Sequence, residues 1–270
     1  MVSFPTCKIN LGLNIVSKRA DGYHDLETVF YPVQINDVIE VIEKEGLGFS
    51  ISGLEIDGDL QSNLCLKAYY LLKKDFPQLP AVQLHLHKAI PIGAGLGGGS
   101  ADGAFTLKLL NKKFDLSLSE KKLMEYAMQL GSDCPFFILN KPCFASGRGE
   151  LLEQINLDLS AYKILIVHPG IHINTGRAFS NIKPVAATRS LKEIIQQPVS
   201  SWKQELKNDF EEPVFAQYPE IKKIKDELYK TGAFYSSMSG SGAAVYGIFE
   251  KDKSLSFPLP GDYFVKEIQP

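Results

Sequence analysis

The sequence predicts an α+β protein of two domains, and three observations carry that expectation. β-rich runs cluster early and look antiparallel. Helical runs are interspersed among them without the strict strand–helix alternation of a parallel array. A second block opens with the apolar strand Lys163-Ile-Leu-Ile-Val167 and has its own helices and strands. The expected division lies near residue 158, giving domains 1–158 and 159–270. With 270 residues and 44% hydrophobic content, the chain can bury one large core or two modest ones.

Each element has a local reason. Residues 2–16 alternate loosely, as a strand does, and Lys18-Arg-Ala-Asp-Gly22 has turn composition. Runs at 26–33, 38–43 and 49–51 are β-rich. Leu64, Ala68, Leu71 and Leu72 repeat at helical spacing over 63–76, and Pro77 ends them. Residues 82–87 alternate cleanly. Helices are expected at 100–113 and 119–130, the second capped by Ser117 or Ser119. Strands are expected at 143–146 and 151–155, around Gly147-Arg-Gly149. In the second block, helical runs fall near 175–182, 190–197, 201–217 and 219–230, and strands near 233–238, 243–249 and 262–268. No internal repeat or low-complexity segment interrupts the pattern.

Composition excludes several function classes. Net charge is −2 with 22% charged residues and no basic arm, so no nucleic-acid partner is expected. Cys7, Cys65, Cys134 and Cys143 form no CxxC pair, which suits reduced thiols in a cytoplasmic protein. No signal-like segment opens the chain, and no apolar run nears the roughly 20 residues a bilayer needs, so no membrane partner is expected.

The chemistry centres on Pro91-Ile-Gly-Ala-Gly-Leu-Gly-Gly-Gly-Ser100-Ala-Asp-Gly-Ala104. Five glycines fall within positions 93–99, and a helical run follows at once. Glycine lets the main chain approach a ligand closely. A helix start offers unpaired N–H groups and the positive end of a dipole. Together they suit a phosphate chain, although a flexible hairpin loop has the same composition.

Gly93, Gly95 and Gly98 satisfy G-x-G-x-x-G, yet the loop follows several strands, not the first one a dinucleotide fold uses. No lysine follows as in a P-loop, and the His-Arg-Asp and Asp-Phe-Gly loops of protein kinases are missing. Two further clusters stand out. Lys8 and Asn10 share one face of the first strand, where an exposed edge lysine would look the same. Asp133, in Gly131-Ser-Asp-Cys-Pro135, could equally be an ordinary helix cap.

Taken together, Lys8-Ile-Asn10-Leu, Pro91–Ala104 and Met238-Ser-Gly-Ser-Gly242-Ala resemble the three motifs of the GHMP kinase superfamily, over nearly the whole chain. Arg19-Ala-Asp-Gly-Tyr23-His24, the triple glycine and Gly131-Ser-Asp133-Cys-Pro135 narrow the resemblance to its branch acting on a cytidine diphosphate-linked methylerythritol.

The resemblance implies an N-terminal domain like domain 2 of ribosomal protein S5 and a ferredoxin-like C-terminal domain. It implies ATP and Mg²⁺ as cofactors, and a monomer or weak homodimer. It assigns Lys8 and Asp133 to catalysis. ATP would lie on Pro91, Gly93, Ala94, Gly95, Leu96, Gly97, Gly98, Gly99 and Ser100. Asn10, Tyr23, His24, Phe179, Gly240 and Gly242 would contact the acceptor, with Tyr23 and Phe179 sandwiching cytosine. The sequence departs from the family at Ala101, often a second serine, and at Lys251–Asp262, too short and proline-rich for the usual last helix. Metal ligands stay unassigned. His85 and His87 read as a polar strand face, His168 and His172 as loop residues, and Trp202 as packing.

Overall fold

The computed structural model describes residues 1–56, 59–180, 182, 184, 189–256 and 260–270, with backbone alone for Arg177 and Ser180. The chain forms two compact units that interleave along the sequence. The first comprises Met1–Cys7, Ile35–Ile92 and Gly97–Lys141, and the second Lys8–Gln34, Gly93–Leu96 and Pro142–Pro270.

In the first unit, strands β1 (Val2–Ser3), β4 (Val38–Glu43), β5 (Gly48–Gly53) and β6 (Val82–Lys88) form a sheet of order β1-β4-β6-β5. The β1–β4 and β4–β6 pairs are antiparallel and β5–β6 is parallel. Alternation along β6 buries Val82, Leu84 and Leu86. Four helices accompany the sheet: α1 (Leu64–Asp75), α2 (Gly98–Lys113), α3 (Glu120–Leu130) and α4 (Cys134–Leu139).

Asn63 caps α1 by accepting from the Cys65 N–H, and Ser119 caps α3 by accepting from the Lys122 N–H. α4 is a helix the sequence hid, because Cys-Pro-Phe-Phe-Ile-Leu is apolar without a period. It is buried nearly all round, with Pro135 tolerated in its first turn.

The second unit has two sheets. Strands β2 (Thr6–Lys18), β3 (His24–Asn36), β7 (Cys143–Ser146) and β8 (Leu151–Gln154) run in the order β2-β3-β7-β8; the first residues of β2 and the last of β3 belong to the other unit. Strands β9 (Tyr162–His168), β10 (Tyr235–Met238), β11 (Val245–Glu250) and β12 (Phe264–Ile268) run β10-β11-β9-β12, all antiparallel. The helices are α5 (Thr175–Ser180), α6 (Leu191–Ile194), α7 (Trp202–Glu205), α8 (Glu211–Gln217) and α9 (Pro219–Lys230). α9 buries Ile221, Ile224 and Leu228 at helical spacing, in a core shared with Leu165, Val167, Val245 and Phe249.

The helical run expected at 201–217 is broken. Leu206 is extended, and the Leu13 N–H donates to the Lys207 carbonyl at 2.8 Å while Asp209 N–H donates to that of Leu13 at 2.9 Å. Pairing with β2 overrides local helix propensity there. Among the described residues between β11 and β12 there is no helix, as expected; Pro258 lies outside them.

Candidate active site

The alternation of β2 puts Lys8 and Asn10 on one face, and both are buried. At 4% exposure Lys8 is no solvated edge residue. Its ammonium donates to Asn10 Oδ1 at 2.5 Å and to the Gly95 carbonyl at 3.1 Å, and lies 5.0 Å from the Phe30 ring centre. Asn10 Nδ2 donates to Thr28 Oγ1 at 2.9 Å, and that hydroxyl donates to the Gly12 carbonyl at 2.6 Å. The Tyr246 hydroxyl donates to the Asn10 carbonyl at 2.7 Å. Every polar atom of Asn10 is thus spoken for, which fixes its amide and hence the ammonium it orients.

The same neighbourhood joins the two glycine segments. Lys8 N–H donates to the Leu96 carbonyl at 2.9 Å, Ser239 Oγ to that of Gly95 at 2.9 Å, and Ala244 N–H to that of Ala94 at 3.0 Å. Gly95 has φ +78°, and a Cβ there would overlap the Ser239 carbonyl. Gly240, at φ +55°, would bring a Cβ within 3.2 Å of the Gly95 carbonyl. Gly242, at φ +92°, would bring one within 2.6 Å of Met238 Sδ. These glycines are required by close packing of one loop on another. A Cβ on Gly93 would overlap the exposed His172 ring.

The second half of the loop belongs to the first unit. Gly97 caps α2 with φ 72° and no side chain, so the first N–H groups of the helix have no side-chain cap. Pro91, Ala94, Leu96 and Gly98 are buried, while Gly93 and Gly99 are exposed. Gly98 leaves room for Ile90 and Lys88, each 2.9 Å from where its Cβ would sit. A Cβ on Gly99 meets nothing within 4 Å.

Beside α2 lies a cluster the sequence reading missed. Lys88 is 3% exposed and is ion-paired with both Asp37 and Asp102, the latter at 2.8 Å. Asp37 Oδ1 accepts from the N–H groups of Ala89 and Ile90 at 2.6 and 2.8 Å. Burial opposes the Lys88 ammonium, but Asp102 and Asp37 outweigh it and hold its pKa above the lysine range. Burial, reinforced by Asp37, pushes Asp102 up to about 7 despite the lysine. Asp102 Oδ1 has no hydrogen-bond partner among the described residues. The only advance signal was three charged residues adjoining apolar runs.

Asp133 takes the cap position of α4 but makes no side-chain cap bond, unlike an ordinary N-cap aspartate. Ser100 bonds to the Cys134 thiol, which burial pushes up to about 12, so this thiol is no nucleophile at neutral pH. All four cysteines are buried and unbridged.

Tyr23 follows a tied turn. Arg19 pairs with Asp21 and Asp25 at 3.1 and 2.9 Å, and Tyr23 N–H donates to Asp21 Oδ1 at 3.1 Å. Tyr23 is 56% exposed, with the Arg148 guanidinium 4.8 Å above its ring. The ring stacked on Phe179 is His24, with centroids 5.1 Å apart and planes 14° from parallel. β3 begins at His24, so that ring lies on the strand next to Phe179. Phe179 in turn meets Phe210 edge-on at 4.8 Å.

His85, His87 and Trp202 have structural partners. His85 and His87 join a ladder with Ser50 and Ser52 at 2.9–3.0 Å. Buried His168 has its pKa lowered by desolvation. Trp202 is fully buried and donates to the Gln197 carbonyl at 3.0 Å. No group of three or more His, Cys, Asp or Glu among the described residues could hold a metal by itself, and Asp102 is engaged by Lys88. No described helix is long and apolar enough to cross a membrane.

Comparison with known proteins gives the family. The family model of the GHMP kinases N terminal domain matches residues 63–141, and that of the GHMP kinases C terminal domain matches 190–256. A 4-diphosphocytidyl-2-C-methyl-D-erythritol kinase of Bacteroides fragilis is 53% identical over 95% of this chain and 94% of its own length. One of Porphyromonas gingivalis is 43% identical over 98% and 97%. The crystal structure of a 4-(cytidine 5'-diphospho)-2C-methyl-D-erythritol kinase superposes with TM-score 0.80 at 30% identity, covering 93% of this chain and 91% of that one. The mevalonate kinase of Methanococcus jannaschii shares the fold, with TM-score 0.71 at 13% identity over 100% and 98% of the two chains. The chain belongs to the GHMP kinases, within the family of 4-diphosphocytidyl-2-C-methyl-D-erythritol kinases, and uses ATP on a small-molecule acceptor.

Proposed function

We propose that this chain transfers the γ-phosphate of ATP to the tertiary 2-hydroxyl of 4-diphosphocytidyl-2-C-methyl-D-erythritol, in the non-mevalonate route to isoprenoids. The observation that carries the reading is the 53% identity, across 95% of the chain, to an enzyme of that name. Residues 1–158 are the N-terminal ATP-binding domain and 159–270 the C-terminal GHMP kinase domain. The protein works in the cytoplasm as a monomer or weak homodimer, with no nucleic-acid or membrane partner.

Phosphoryl transfer demands positioning and charge stabilisation more than covalent chemistry. Pro91–Ser100 holds the ATP phosphates, with main-chain N–H groups at the start of α2 directed at their charge. Asp133 orients the acceptor hydroxyl and takes its proton. The alcohol oxygen bonds to the γ-phosphorus while the bond from that phosphorus to the bridging oxygen breaks, releasing ADP. Lys8, oriented by Asn10 and Gly95, stabilises charge on the transferring group. Asn10 contacts the acceptor, and Gly240 and Gly242 bring bare main chain to its diphosphate. Tyr23, His24 and Phe179 hold cytosine, where base stacking contributes about 1–3 kcal/mol. A Mg²⁺ ion bound with ATP would offset the charge of its phosphates. It needs few protein oxygens, and no residue is assigned to it.

An ADP-release assay comparing the cytidyl acceptor with homoserine and mevalonate tests the reading. Turnover is expected with the cytidyl acceptor alone; preference for either other alcohol would overturn it. Asp133→Ala is expected to lower kcat by about 10²–10⁴ with ATP binding retained. Wild-type turnover in that variant would remove Asp133 from the chemistry.

A further inference from the structure

Residues 207–211, Lys-Asn-Asp-Phe-Glu, join α7 to α8 and bond to the site on two sides. Toward β2, Leu13 and Asn208 form a parallel bridge, and Ile15 N–H donates to Asp209 Oδ2 at 2.7 Å. β2 is the strand that carries Lys8 and Asn10. Toward the second glycine turn, Asn208 Nδ2 donates to the Met238 and Gly240 carbonyls, both at 2.8 Å. Glu211 Oε1 accepts from Met238 N–H at 2.9 Å and from Ser237 Oγ at 3.1 Å.

The orientation of the Asn208 amide is dictated by its surroundings. Two carbonyls require donors, and the Phe210 N–H, donating to Oδ1 at 3.0 Å, requires an acceptor. The side chain is 4% exposed, so water cannot replace those bonds without repacking. Phe210 extends the connection, since its ring meets Phe179 edge-on and Phe179 stacks on His24.

We propose that Asn208 is a positioning residue for the reaction: by gripping the Met238 and Gly240 carbonyls it sets the main-chain direction of the 239–242 turn toward the acceptor's phosphate groups. A trans peptide points its carbonyl and the following N–H in opposite directions. Holding the Gly240 oxygen toward Asn208 therefore turns the Ser241 N–H the other way, where an anion can accept from it. The inference rests on the acceptor reading above and names a residue that acts through the turn, without touching the substrate.

Asn208→Asp tests it with a side chain of the same shape. The ionised carboxylate keeps the bond from Phe210 N–H but has no donor for the two carbonyls. The variant is expected to fold, as judged by circular dichroism. It should lose about 10²-fold in kcat/KM for the acceptor, while the dissociation constant for a non-hydrolysable ATP analogue stays within about two-fold. A buried carboxyl takes up a proton more readily than a free one. One donor then returns, so variant activity relative to wild type should rise as pH falls from 8 to about 5.5. Asn208→Ser, which keeps one donor, serves if the aspartate variant does not fold, and should show the same acceptor-selective defect in weaker form. A folded variant with wild-type acceptor kinetics overturns the proposal, as does an equal loss of ATP affinity or a ratio flat in pH. If wild type prefers another alcohol, the acceptor reading fails separately, and Asn208 is then judged on that alcohol.

Discussion

Lys8 and Lys88 are buried to the same degree, and the partners each meets within its own unit differ. Lys88 sits between two carboxylates, and Asp37 is itself tied to the main chain at Ala89 and Ile90. Within its unit, Lys8 is met by an amide oxygen, a peptide carbonyl and an aromatic face. Carboxylates neutralise an ammonium as they lock it; an amide oxygen, a carbonyl and a ring orient one. The first arrangement ties the residue before β4 to the end of β6 and to α2. The second fixes the direction of the Lys8 ammonium.

The sharpest way to break this contrast is to replace each lysine by methionine, which keeps bulk and removes charge. Lys88→Met leaves two buried carboxylates without their counter-ion, and losing one partner of a buried pair costs about 3–5 kcal/mol. The variant should unfold at a much lower temperature, and its loss of activity should follow its loss of structure. Lys8→Met should lose about 10²–10³ in kcat in its folded fraction, as when one transition-state donor is removed. Thermal denaturation beside steady-state kinetics separates the two outcomes. A Lys8→Met activity loss that only tracked its loss of structure would erase the distinction.

Neighbouring glycines on α2 sharpen the same contrast on a smaller scale. A methyl group on Gly98 meets Ile90 and Lys88, each at 2.9 Å. Overpacking of that kind costs about 1–3 kcal/mol, so Gly98→Ala should lose stability. A methyl on Gly99 meets nothing within 4 Å, and φ there is not left-handed. Alanine in a helix is worth about 0.5–1 kcal/mol over glycine, so Gly99→Ala should be as stable as wild type or more so. If ATP comes close to the main chain at that point, Gly99→Ala should nonetheless weaken nucleotide binding, measured calorimetrically. A stable variant with unchanged affinity would take Gly99 out of the phosphate site.

How much was legible in the sequence follows from where each feature's cause lies. Strand β4 is local: its alternation is complete within 38–43, and the expected and observed bounds coincide. The packed role of Gly95 was only half legible. Its need for a bare α-carbon could be read from the motif, but the carbonyl that excludes a side chain belongs to Ser239, far along the chain. The break in the 201–217 helix arises from Leu13, which no window around residue 208 contains. Lys88, Asp37 and Asp102 are likewise distant in sequence, and each alone reads as a strand-end or helix charge. The Tyr23-His24 pair could be read as an aromatic site, but the stack of His24 on Phe179 joins residues far apart in sequence.

The finest test of the buried cluster is Asp102→Asn, because it removes the surplus charge and keeps the shape. One ammonium faces two carboxylates, so the cluster carries a net negative charge, and burial raises the Asp102 pKa to about 7. Between the ordinary aspartate value of 3.8 and that value, the folded state binds more protons than the unfolded chain. Stability associated with this group is therefore present at low pH and is lost as pH rises toward and through 7. The Lys88 shift acts in the alkaline range, above the ordinary lysine value of 10.5, and leaves this window untouched. Asparagine does not titrate, and it leaves Lys88 paired one-to-one with Asp37. At pH 8 the variant should melt at or above the wild-type temperature, and its advantage should shrink steadily as pH falls from 7 toward 4. Thermal melts across that range read the difference directly. An advantage that grew on acidification would mean that Asp102 is held ionised in the fold, and the Lys88 cluster would then be a balanced lock with no charge to spare.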